Sequence, residues 1–291
     1  MIVTLNSKPP FDFFLSLKAA SSFEPGRIGA AEELRRAIRL GGAALAIEIS
    51  QARTGRPVLR ASTVGSPNRA RLRAAAEWMI SSDLDLKPFY RMAVHHRVLG
   101  PITKDLRGLK PLRPATLFEM AIIAITEQQI SLAAAHHIRS RLIGRFGERV
   151  DGLCAFPTPG ALALASKTQL LACGLSHRKA EYIGDLSRKV ASGRVDMENM
   201  KTMSTDTARA LILQQRGLGG WSADYILVRG LGRPDCVPVD DLGVQSVAGK
   251  YLGRGRRLSP QALRRSLAPF APFRGIAAFY LLAHDRLSRE L

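Results

Sequence analysis

Apolar positions change their period about a third of the way along the 291-residue chain. In the first stretch, short apolar or β-branched runs alternate with Gly and Pro turns. Ile2 to Leu5, Ala43 to Ile49 and Val58 to Ser62 fit strands. Asn68 to Ile80 instead places Leu72, Ala75, Ala76 and Met79 at helical spacing. From about Phe89 onward the spacing is almost wholly helical, with short Gly- and Pro-marked breaks. The pattern predicts an α+β fold: a small antiparallel α+β domain over 1–88, then a mostly α-helical domain over 89–291.

Helix punctuation in the second region is specific. Pro114 precedes Thr116-Leu117-Phe118-Glu119, which has capping-box spacing, and the apolar face continues through Met120, Ile123 and Ala124. Ser131 can cap a helix ending near Gly147. Ser176 to Ala191 reads as a helix that is basic on one side through Arg178, Lys179, Arg188 and Lys189. Thr205-Asp206 opens another, carrying Ala208, Leu211 and Ile212.

Charge narrows the function classes. Lys plus Arg number 43 against 24 acids, a net charge of +19 at pH 7, spread along the chain rather than held in a tail. A folded surface with that surplus suits a polyanionic partner, most simply nucleic acid. Cys154, Cys173 and Cys236 are too few and too far apart for a disulfide framework or a metal knuckle, and His95-His96 and His136-His137 lack metal-ligand spacing. No apolar run reaches bilayer length and Met1 to Leu5 lacks a signal-peptide layout, so a cytoplasmic protein is expected.

The chemistry concentrates between Leu211 and Leu242. A helix meets Arg216-Gly217-Leu218-Gly219-Gly220 and restarts at Trp221. This predicts a hairpin over about 214–220 whose glycines let a partner approach the backbone. Unpaired amides at the start of the second helix would grip a phosphate without reading sequence. A loop with Gly230, Gly232, Pro234 and Pro238 then delivers Asp240-Asp241 to the next helix. Each feature has an ordinary reading: a helix–helix turn, an N-cap aspartate, and Trp221 and Tyr225 as core.

In this order, hairpin, Gly/Pro loop and terminal Asp resemble the helix–hairpin–helix DNA glycosylase superfamily. Within it the chain is similar to the DNA-3-methyladenine glycosylase II (AlkA-type) family over nearly its full length. Leu5-Asn6-Ser7-Lys8-Pro9-Pro10-Phe11-Asp12 resembles the amino-terminal strand motif. Ala124 to Ser131 resembles the wedge-bearing segment, and Gly174 to Glu181 the approach to the hairpin. Gly217 to Tyr225 resembles the hairpin itself, whereas Phe23 to Ser66 aligns poorly.

The resemblance implies monofunctional excision of alkylated bases such as 3-methyladenine or 7-methylguanine from damaged double-stranded DNA by a monomer. It assigns catalysis to Asp241, with Asp240 its non-catalytic neighbour, and the base pocket to Trp221, Tyr225 and the Leu282 position. Gln129 takes the place of the side chain that fills the gap left by the flipped nucleotide, and Gly217, Leu218, Gly219 and Gly220 hold the DNA backbone. No cofactor is required; a structural Na⁺ or K⁺ on the carbonyls of Leu213, Gln215 and Leu218 is implied.

Physical chemistry agrees. A flipped base leaves a hole to fill, electron-rich rings attract a cationic base, and a carboxylate answers charge building on the sugar. Leu282 departs from the family, which has a tryptophan there; Phe279 or Tyr280 is a candidate substitute. Lyase-type relatives place a nucleophilic lysine where this chain has Trp221, and the iron–sulfur branch needs four spaced cysteines. A non-catalytic helix–hairpin–helix DNA grip is the competing reading.

Overall fold

The structure, a computed structural model, describes residues 1–23, 32–52 and 58–289. Strands β1 (Ile2–Thr4), β2 (Glu33–Leu40), β3 (Ala43–Gln51) and β4 (Leu59–Thr63) form an antiparallel sheet ordered β1-β4-β3-β2. Helices α1 (Phe13–Phe23) and α2 (Arg69–Met79) belong to the same part of the chain. Val3, Leu5, Leu34, Ile38, Ile47, Ile49 and Ala61 from the sheet segments pack with Phe13, Leu17, Leu72, Ala76 and Met79 from these helices. At roughly 1.5–3 kcal/mol per large apolar side chain, that layer holds the region together.

Three strands lie where the apolar runs predict them, but β2 was not expected. Its sequence ELRRAIRL hides the period of two behind three arginines. One of these, Arg36, reaches the buried Glu119 carboxylate at 2.5 Å. The clearer signal was Gly41-Gly42, where Leu40 pairs with Ala43 and both glycines have positive φ, 61° and 93°. A two-residue turn of that kind matches the twist of the flanking strands. Residues 24–31 and 53–57 of the poorly aligned stretch lie outside the described residues.

Next come α3 (Lys87–Ala93), α4 (Leu99–Asp105), α5 (Leu117–Glu127) and α6 (Leu132–Phe146). A short hairpin of β5 (Arg149–Val150) and β6 (Leu153–Cys154) precedes α7 (Pro159–Leu164), α8 (Lys167–Leu171), α9 (His177–Ala191) and α10 (Thr205–Leu213). The chain closes with α11 (Gly220–Tyr225), α12 (Leu242–Leu252), α13 (Pro260–Leu267) and α14 (Arg274–Leu287). Two helices are buried almost all round. Every residue from Leu117 to Thr126 of α5 is buried, within a cluster that draws on α6 to α11. The other, α14, packs with α3, α4, α12 and α13.

Caps fall where the sequence places them. Ser131 accepts from the Ala134 amide, Ser176 from that of Lys179, and Asn68 from that of Arg71. At α5 the box is half formed. Thr116 accepts from the Glu119 amide at 3.0 Å, but the Glu119 carboxylate turns to the Ala115 amide and to Arg36. An acid expected to close its own helix end instead ties that helix to the sheet.

The loop from Leu231 to Asp241 crosses between the two helical clusters. Leu231 belongs to the α5 cluster and Val239 to the α14 cluster. Buried Gln245 donates to the Val239 carbonyl at 2.9 Å, and the Asp241 amide to that of Pro238 at 2.9 Å, which holds the loop's end still. This crossing brings the start of α12 beside α11.

Candidate active site

The hairpin is built by residue size as much as by turn geometry. Gly217 has φ 88°, and a Cβ there would stand 2.3 Å from the Tyr182 ring of α9. Only glycine fits. Leu218 turns inward, 3% exposed, into the α5 cluster, so of the four hairpin residues expected to hold DNA it offers the least surface to a partner. Gly219 and Gly220 are exposed, with nothing within 4 Å of where a side chain would begin. Gly219 is the N-cap of α11 and provides no side-chain cap, leaving the first amides open to an approaching anion. From Tyr225 the helix widens into a π turn, Ile226–Gly230, in which the Leu231 amide reaches the Ile226 carbonyl.

Asp241 is the N-cap of α12 and is only partly exposed; Asp240 faces solvent. One carboxylate oxygen, Oδ1, accepts from the Val244 amide at 2.9 Å, as a cap should. The other, Oδ2, accepts from Trp221 Nε1 at 2.9 Å. The cap therefore consumes one oxygen, and the second is turned towards α11. Each oxygen keeps acceptor capacity beyond these single bonds.

Trp221 and Tyr225 are stacked on each other, centroids 5.1 Å apart and planes 24° apart. They form a two-layer aromatic plate, not a slot with a gap between the rings. A planar ligand would rest on an outer face of that plate. The α14 stripe of Phe279, Leu282 and Arg286 lies on this side of the molecule: Arg229, near the end of the π turn, sits over the Phe279 ring at 5.4 Å, and Arg286 interacts electrostatically with Tyr225. Burial, then Arg289, holds the Arg286 guanidinium below its ordinary pKa. Leu282 is partly buried.

Of the two candidate substitutes for an aromatic at Leu282, Tyr280 is excluded. It is fully buried, and its hydroxyl is spent on Tyr90 at 2.7 Å and on the Leu109 carbonyl at 2.9 Å. Phe279 is 6% exposed and already covered by Arg229.

Gln129 is exposed, has φ 56° and stands in the turn between α5 and α6, beside Ile130, which is 38% exposed. The residue before it does the opposite. Gln128 turns inward and donates to the Gly217 carbonyl at 2.7 Å and to Ser222 Oγ at 3.0 Å. Lys179, expected on a basic solvent face of α9, instead bends inward and donates to the Thr126 and Gln128 carbonyls at 2.9 and 2.6 Å. Burial lowers its pKa. Neither role has a local sequence signal, because each depends on a partner about fifty or more residues away.

The hairpin also bears on the cation expectation. Gln215 is 7% exposed, and its side-chain Oε1 is buried without a hydrogen-bond partner, while its amide nitrogen donates to Leu211. The Gln215 main-chain carbonyl accepts from the Leu218 amide at 3.0 Å. An unmet neutral oxygen in this turn suits a monovalent cation, which takes uncharged oxygen donors.

A cleft of about 510 Å³ opens elsewhere, on the Asp224 side of α11, lined among others by Arg209, Asp224, Arg233 and Arg274. Trp221, Tyr225 and Asp241 do not border it. Two of its guanidinium groups are held by carboxylates: Arg209 pairs with Asp224, and Arg274 with Asp235 at 2.5 Å. Carboxylate, aromatic plate, hairpin and exposed turn define the candidate site; this cleft does not.

Residues 122–272 match the family described as HhH-GPD superfamily base excision DNA repair protein. The DNA-3-methyladenine glycosylase of Bacillus subtilis is 29% identical over 209 residues, covering 70% of this chain and 69% of the relative. The DNA-3-methyladenine glycosylase 2 of Escherichia coli is 27% identical over 293 residues, covering 96% and 95%. The solved 3-methyladenine DNA glycosylase from Archaeoglobus fulgidus superposes with a TM-score of 0.84 at 25% identity, covering 99% of each chain.

Proposed function

Because the chain belongs to the HhH-GPD superfamily of base excision DNA repair proteins and is a DNA glycosylase, we propose that it hydrolyses the N-glycosidic bond of alkylated, cationic bases with Asp241. The observation that carries this assignment is the Asp241 carboxylate itself, with one oxygen on its helix and the other on the indole of an aromatic plate. A capping aspartate with no further role has no need of the second bond.

The chemistry follows from charge. A purine methylated on a ring nitrogen is cationic, and an electron-rich ring face attracts it by ~0.5–2 kcal/mol. When the C1′–N bond breaks, its electron pair moves onto the base, which leaves neutral. Positive charge passes to the sugar. The Asp241 carboxylate opposes that charge, and a water oxygen then bonds to C1′ while its proton passes to solvent or to the carboxylate. Trp221 replaces the lysine that a lyase would use, so the product is an intact abasic site. Gln129 fills the vacated stack, and the amides around Gly219 and Gly220 hold a phosphate of the duplex. A Na⁺ or K⁺ held by Leu213, Gln215 and Leu218 would add positive charge under that phosphate. One copy of the protein suffices for one lesion.

The test is Asp241→Asn on methylated duplex DNA. Base release should fall by about a hundredfold or more, in line with losing a preorganised charge at a transition state, while duplex affinity is retained. Near-normal release of free base would remove Asp241 from the mechanism.

A further inference from the structure

The first turns of α9 touch both halves of the DNA-facing surface. Towards the hairpin, the Tyr182 ring fills the space left by Gly217, and Arg216 lies over that ring at 5.4 Å while pairing with Glu181 at 3.2 Å. Towards the exposed turn, Lys179 holds the last carbonyls of α5 at 2.9 and 2.6 Å. An ammonium is favoured there by the negative end of the α5 dipole. Gln128 closes the circuit, bridging from the same turn to the Gly217 carbonyl and to Ser222, which is 1% exposed.

The intervening residue needs such support. Gln129 has φ 56°, a left-handed conformation that costs a non-glycine residue backbone strain. It is held between a helix end locked by Lys179 and the cap Ser131 of α6. With both flanks fixed, its side chain projects from a turn that is bonded to the hairpin.

We propose that Lys179 and Gln128 are positioning residues that couple the hairpin's hold on a backbone phosphate to insertion of Gln129 into the duplex. The inference rests on the reading of Gln129 as the side chain that fills the flipped-out nucleotide's place. Gripping the phosphate then sets the depth and direction of the plug, because hairpin, α9 and plug turn move as one body. Without Lys179 the helix end frays, the turn relaxes towards ordinary backbone angles, and DNA is still held but the base is not driven out. Lys179 touches neither base nor sugar in this account.

The experiment compares Lys179→Met, Lys179→Arg and Gln129→Ala in the full chain, on a duplex with one 7-methylguanine next to 2-aminopurine. Lys179→Met should bind an undamaged duplex within about twofold of the parent. Its single-turnover base release should fall by at least about tenfold, the order expected when part of the unstacking cost is no longer met. The 2-aminopurine fluorescence rise that reports unstacking should be lost with it. Lys179→Arg, which keeps donors for both carbonyls, should recover most of the rate and the signal. Placing the lesion opposite an abasic site, where no pair has to open, should bring Lys179→Met back to within about threefold.

Equal losses in undamaged-duplex binding and in release, or a normal fluorescence rise in Lys179→Met, would overturn the coupling. So would an undiminished deficit opposite the abasic site. If Gln129→Ala unstacks DNA normally, the plug reading fails and takes the coupling with it. If Gln129→Ala is impaired and Lys179→Met is normal, the plug stands and only the coupling is wrong.

Discussion

Asp241 is both an N-cap and a group offered to the site, and the two roles divide its oxygens. The amide bond at Oδ1 fixes the carboxyl plane relative to α12, and the Trp221 bond at Oδ2 fixes it relative to α11. A hydrogen bond to a charged acceptor contributes roughly 1.5–3 kcal/mol. Trp221→Phe keeps the aromatic plate but removes the indole N–H. We expect base release to slow by roughly tenfold to a hundredfold, about 1.4–2.7 kcal/mol in the barrier, with KM for methylated DNA changed much less than kcat. A change confined to KM would show that Trp221 serves only as a stacking surface.

At the scale of elements, the hairpin depends on packing against α9. Ordinary turn preferences allow an Asn or another small residue at a positive φ, but the Tyr182 ring leaves no room for any Cβ at Gly217. Gly217→Ala therefore strains the backbone and pushes the ring at once. Duplex affinity should drop by about tenfold or more while the melting temperature falls by only a few degrees, consistent with a loss of ~1–3 kcal/mol concentrated in one turn. Fluorescence anisotropy and thermal unfolding measured together check this. The same element explains why Lys179 looked like part of a solvated basic face: its neighbours Arg178 and Arg188 are exposed as helical spacing suggests, and only the nearness of α5 pulls Lys179 in.

For the molecule as a whole, Lys110 joins the amino-terminal segment to the helices. It is 0% exposed, donates to Ser7 Oγ and the Lys8 carbonyl at 3.1 and 2.9 Å, and lies over the Phe11 ring at 5.3 Å. Burial lowers its pKa from 10.5 to about 8. A base with a depressed folded pKa costs stability where it is charged in both states, and that cost disappears as pH rises. Between pH 8 and pH 10.5 the unfolded chain keeps a proton that the folded chain has released, so stability rises with pH. Relative to Lys110→Met, the wild type should gain up to about 1 kcal/mol per pH unit across that window, read from urea midpoints. A gap that stays constant with pH would show the ammonium to be well solvated in the fold.

Local patterns were enough for the helices that begin at Thr116, Ser131 and Ser176, because caps and apolar spacing act within a few residues of each other, but not for the short β5, β6, α7 and α8 between them. The hairpin glycines, the Gly/Pro loop and Asp241 were equally legible as a linear succession, and with them the family. β2 was not, since its arginines take their meaning from Glu119 and Glu148 across the fold. Nor could the chain alone show that Trp221 reaches the Asp241 carboxylate, that Tyr280 is sealed in the core, or that Lys179 locks the Gln129 turn. Those facts are contacts between segments far apart in sequence. Only the packing of α5 and α14, and the loop crossing between their clusters, decides which side chains meet.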